Sequence, residues 1–118
     1  MKYMLLIHHG ETPVPGQDAW DALSREQQES VSAAYQALNA TPGVTPGQYM
    51  QPPDAATTVR VADGRTLTTD GPFAETKDAL GGYLFLEADD LDAAIAVAAR
   101  IPAAYMGGGV EIRPLVEW

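Results

Sequence analysis

Residues 2–8 read Lys-Tyr-Met-Leu-Leu-Ile-His, with Tyr3, Leu5 and Ile7 alternating against Met4 and Leu6. Such a strand is apolar on both faces, so it belongs in the middle of a sheet whose two sides are both covered. His8 continues the Met4/Leu6 face and His9 the Ile7 face. The chain has 118 residues, enough for one domain over 1–118 and too few for helices on both sides of a sheet.

The rest of the chain supplies few elements. A polar loop over residues 10–18 leads to Trp20 and Leu23, which anchor the approach to a helix. Ser24 with Gln27 three residues later is a capping-box pattern. Val31, Ala34, Tyr35 and Leu38 then recur at helical spacing, and Pro42-Gly43 ends the helix by about residue 40. A short strand is expected over 47–51, before Pro52-Pro53. Thr57-Thr58-Val59-Arg60-Val61 and Arg65-Thr66-Leu67-Thr68-Thr69 flank Asp63-Gly64, a pair suited to the positive φ angles of a type I′ hairpin. Gly82 to Glu87 is a further apolar strand. A helix capped by Asp89 or Asp90 follows, burying Leu91, Ala94, Ile95, Ala98 and Ile101, and Pro102 stops or kinks it. Gly107-Gly108-Gly109 links to a last strand, with Val110, Ile112, Val116 and Trp118 on one face.

This order predicts an α+β fold: a ferredoxin-like antiparallel sheet with helices on one face and an inserted β-hairpin. The second sheet face then has no cover within the chain. Pairing two sheets face to face supplies it, which predicts a homodimer.

Charge narrows the partners. Sixteen acidic against seven basic residues give a net charge of −9. Such a surface repels phosphate backbones and anionic bilayers, so neither nucleic acid nor membrane is an expected partner. Cysteine is absent, which removes disulfide and thiolate chemistry. No apolar run reaches the ~20 residues that span a bilayer. The opening apolar run is too short for a signal peptide, and His8-His9-Gly10-Glu11 stands where a cleavage site would, so the expected location is cytoplasmic.

Few residues carry chemistry. Asp70 ends the hairpin ahead of Gly71-Pro72. Beside Phe73 its carboxylate can act as a general base, or it can accept amide bonds in its own turn. His8 and His9 are candidate acid/base groups, and on a regular strand they cannot share one metal ion. Glu75 and Lys77 are candidates to close over a ligand, or form a solvated pair. Tyr49 and Tyr83 can line a cavity or serve as core, and Arg60 reads as an exposed hairpin residue. Gly107 to Gly109 precedes a strand, and Gly81-Gly82 lacks a strand–turn–helix context, so neither cradles phosphate. No cofactor and no metal are expected.

The contiguous Asp70-Gly71-Pro72-Phe73-Ala74-Glu75-Thr76-Lys77, followed by Gly81-Gly82-Tyr83, resembles the DGPF branch of the YCII-related (YciI-like) family. Lys2 to Leu6, Asp89 to Arg100 and Val110 to Pro114 resemble that family's first strand, second helix and last strand. The resemblance implies a dimeric α+β barrel and a small organic ligand in a cavity between sheet and helices. Some members pair a histidine on the first helix with an aspartate, but residues 24–39 here contain no histidine, so that dyad does not transfer. Two functions follow as expectations. One is cofactor-independent proton transfer of isomerase or lyase type, with Asp70 as base and His8 or His9 as acid. The other is a non-catalytic accessory module that binds a ligand or a protein, linked by the family's gene context to an extracytoplasmic-function sigma factor.

Overall fold

The computed structural model describes residues 1–73 and 80–117. Glu75, Lys77 and Trp118 fall outside the described residues.

Four strands form the main sheet: β1 (Lys2–His8), β2 (Val44–Tyr49), β5 (Leu80–Glu87) and β6 (Gly109–Pro114), in the order β2-β5-β1-β6. Every neighbouring pair is antiparallel. The strand that is apolar on both faces is central, as its pattern requires. Strands β3 (Thr57–Ala62) and β4 (Arg65–Asp70) form a separate two-stranded sheet. Their turn has Asp63 at φ 50° and Gly64 at φ 73°, the two positive angles of a type I′ turn. The architecture is α+β and ferredoxin-like, with an open sheet in the single chain.

Helix α1 (Asp18–Asp21) is a single turn that contains Trp20. Helix α2 (Arg25–Asn39) begins at the predicted capping box: Gln27 N–H donates to Ser24 Oγ at 3.1 Å, and Ser24 N–H donates to Gln27 Oε1 at 2.8 Å. Helix α3 (Leu91–Ala98) is capped by Asp90, whose Oδ1 accepts from Ala93 N–H at 2.8 Å. Both long helices share one core with the sheet. Tyr3, Leu5 and Ile7 of β1 and Leu84 and Leu86 of β5 meet Leu38 of α2 and Ala94 and Ala98 of α3.

Several expectations need correction. The second strand lies at Val44–Tyr49 rather than 47–51, because the Thr41–Val44 turn delivers the chain to the sheet three residues earlier. On α3 the Ala94/Ala98 ridge faces the sheet, since small side chains let the helix approach closely. Leu91 and Ile95 are therefore 52% and 49% exposed. Ile101 is fully buried but lies beyond α3, as the residue ahead of helix α4 (Pro102–Tyr105). Pro102 thus starts a helix, at the first position where its missing N–H costs nothing. The last strand stops at Pro114, and Val116 is exposed.

The opposite sheet face carries Met4 and Leu6, set by register against Phe85 and Tyr83. Met4 and Leu6 are half-buried, and Phe85 is exposed. Among the described residues no helix is long and apolar enough to cross a membrane.

Candidate functional site

The two histidines leave β1 in opposite directions. His8 stays on the outer sheet face, where Nε2 lies 3.4 Å from Glu111 Oε1 of β6. Glu111 also pairs with the Arg113 guanidinium, which, ahead of His8, holds its carboxyl below the usual range. His9 follows the strand and turns to the helix side. Its carbonyl accepts from Thr12 N–H at 2.8 Å, and the buried Thr12 hydroxyl donates to the Met106 carbonyl at 3.2 Å. These bonds tie the loop after β1 to the turn between α4 and β6.

Glycines make room for this corner. A Cβ on Gly81 would overlap the His9 imidazole, and a Cβ on Gly108 would overlap the His8 and His9 carbonyl oxygens. The imidazole therefore sits where β5 has no side chain. A glycine inside a strand pattern marks such a close approach, so Gly81 was the local signal for this contact.

His9 lines a cleft of about 700 Å³, together with Val14, Tyr49, Pro52, Leu80 and Gly81. Among the described residues its Nε2 is buried without a hydrogen-bond partner. An orphaned buried donor or acceptor costs ~1–3 kcal/mol and asks for a reason. Burial also lowers the pKa of the ring from its ordinary 6.5, so the imidazole is neutral at pH 7.

Tyr49 stands beside it, with ring centroids 5.7 Å apart. Tyr49 in turn meets Tyr35 of α2 edge-on at 5.4 Å. Burial, followed by a hydrogen bond to Tyr35, pushes the Tyr49 phenol well up, and burial also raises Tyr35. Both phenols thus keep their protons at neutral pH. Tyr35 was legible in the sequence only as a helix residue on the core side. A smaller recess of about 90 Å³ adjoins the pair, bounded by Ile7, Leu84 and Tyr83.

The other candidates lie elsewhere. Tyr83 packs edge-on against Phe85 at 5.9 Å, two residues along the same strand. Asp70 ends β4 opposite Thr57 and is exposed, and the wall of the His9 cleft does not include it. Its turn is fixed by Gly71 N–H donating to the Ala56 carbonyl at 2.7 Å and by the Thr58 hydroxyl donating to the Gly71 carbonyl at 2.8 Å. Phe73 is exposed under the Arg60 guanidinium, 4.7 Å from its ring centroid. The structure thus brings His9 and Tyr49 together, sets Tyr83 on the smaller recess beside Tyr49, and leaves His8, Asp70 and Phe73 off the His9 cleft. Among the described residues no three His, Asp or Glu side chains gather as a metal-ligand set.

An uncharacterised protein of Rhizobium meliloti (strain 1021) is 33% identical over 120 residues, covering 98% of this chain and 92% of that protein. A family model for the YCII-related domain matches residues 1–118. The match runs the whole length of the described sheet and helices, and the chain belongs to the YCII-related domain family.

Proposed function

We propose that the protein binds a small organic molecule in the His9 cleft and moves a proton on it without a cofactor, in the manner of an isomerase or lyase. The orphaned Nε2 of His9 carries this reading. A neutral imidazole is a competent base near pH 7, and a bound O–H or acidic C–H would supply the missing partner. Tyr49, protonated and hydrogen-bonded to Tyr35, forms the cleft wall beside the imidazole and limits where a substrate can sit. Asp70 remains a separate candidate base at the foot of the hairpin, and Glu75 and Lys77 remain candidate ligand contacts. The reading places the protein in the cytoplasm and, on the motif Asp70 to Lys77, in the DGPF branch of its family.

Solvent exchange tests the proposal directly. Small lactones, phenols and keto acids are incubated with the protein in D2O, and loss of C–H signal is followed by proton NMR. Accelerated exchange in wild type that His9→Gln abolishes supports the assignment. Exchange that survives His9→Gln and disappears in Asp70→Asn moves the base to Asp70, and no exchange across the panel overturns the enzyme reading.

The accessory-module reading is favoured by one observation, the exposed apolar residues of the β3–β4 hairpin. Recovery of a sigma factor with the tagged protein, lost on altering that hairpin, would support it over catalysis.

A further inference from the structure

The wall of the His9 cleft carries no fixed charge. Among the described residues, no Asp, Glu, Lys or Arg lines it. Its side chains are chiefly apolar, with Val14, Met50, Leu80 and three prolines. An anion leaving water for such a place needs several strong donors in exchange. The wall is short of them. Pro15, Pro52 and Pro53 have no N–H to give. The Met50 N–H already donates to the Gly81 carbonyl at 2.8 Å, and the Gln17 N–H to the Val14 carbonyl at 3.2 Å. The Gln17 side-chain oxygen in turn accepts from the Val14 N–H at 3.3 Å. His9 brings no counter-charge, because burial keeps the ring neutral. The field of the whole chain acts in the same sense: a net charge of −9 lowers the local concentration of anions. The sequence next to Leu80 does not reverse it, since residues 74–79 hold Lys77 against Glu75 and Asp78.

We propose that the His9 cleft selects an uncharged, mainly apolar molecule with one hydrogen-bonding group for the imidazole, and rejects carboxylates and phosphates. The inference rests on the cleft being the ligand site, as proposed above, and it names the class of ligand. One polar group suffices, because the buried side-chain polar atom left without a partner among the described residues is His9 Nε2. The remainder of the ligand gains by leaving water for the proline, valine and leucine surfaces. A lactone, an ester or a phenol meets these terms, and the anion of a keto acid does not.

NMR titration of the full chain at pH 7 tests it with matched pairs: methyl benzoate against benzoate, and δ-valerolactone against the anion of its ring-opened hydroxy acid. Binding is read from the His9 ring protons and the methyl groups of Val14 and Leu80. The uncharged member of each pair is expected to bind more than about tenfold tighter. Gln51→Lys sets a cation on the wall and is expected to close most of that gap by raising the affinity for the anion. A carboxylate that binds wild type as tightly as its uncharged partner overturns the inference, and loss of that binding in Lys77→Ala would identify the counter-charge. No shift with either uncharged probe overturns it as well. Uncharged binding without the solvent exchange sought above supports this inference and overturns the proton-transfer reading. Exchange on a keto acid anion does the opposite.

Discussion

The His9 imidazole occupies the space that a Cβ on Gly81 would need, with Nδ1, Cε1 and Cγ all inside contact distance. Gly81→Ala therefore forces either the ring or the strand to move. Overpacking of this kind costs ~1–3 kcal/mol, readable in urea denaturation. If the ring moves, His9 regains solvent and its pKa returns toward 6.5, which NMR titration of the imidazole detects. An unchanged titration with unchanged stability would show that the contact is looser than the geometry states.

Burial of His9 sets a pH dependence. Its folded pKa lies below the unfolded 6.5, so below pH 6.5 the unfolded chain binds a proton that the folded chain resists. Stability is then full above pH 6.5, falls as pH drops through that value, and levels off once folded His9 is itself protonated. The melting temperature should decline over this window in wild type and stay flatter in His9→Gln. Glu111 is held low by Arg113 and His8, so its own loss belongs to the more acidic carboxylate range.

The core and the exposed face of α3 should respond differently. Leu5 is fully buried, and Leu5→Ala should cost ~2–5 kcal/mol. Leu91 is a longer side chain than either alanine that faces the sheet, yet Leu91→Ala should change stability by no more than about 0.5 kcal/mol. Equal losses at the two positions would mean that Leu91 is covered in solution.

The start of α2 rests on one reciprocal cap. Ser24→Ala removes the acceptor for Gln27 N–H and should cost ~1 kcal/mol, lowering the melting temperature by about 3–5 °C. Ser24→Gly should recover most of that loss, because glycine tolerates the non-helical cap geometry.

The parts legible in the sequence are those fixed by local chemistry. Ser24 with Gln27 located a helix start, Asp63-Gly64 a hairpin turn, and the alternation of Tyr3 to Ile7 a central strand. Helix rotation was not legible: Leu91/Ile95 and Ala94/Ala98 are equally good ridges until the sheet chooses the smaller. The β2 strand contains Pro46 and Gly47, neither of which favours a strand, and pairing with β5 holds it there. The His9–Tyr49 pairing depends on residues forty positions apart that no motif links. The motif that does stand out, Asp70 to Phe73, reports a turn at the foot of the hairpin.

The placement of β1 has a consequence during synthesis. It is made before both of its neighbours, which begin at Leu80 and Gly109, whereas the hairpin partners leave the ribosome almost together. The hairpin can therefore form early, while the apolar run Tyr3–Ile7 waits for nearly the whole chain. Pairings of such long separation are slow, and an uncovered strand of this kind invites aggregation meanwhile. Translation rate and chaperone supply should thus govern the yield of this protein more than its final stability does.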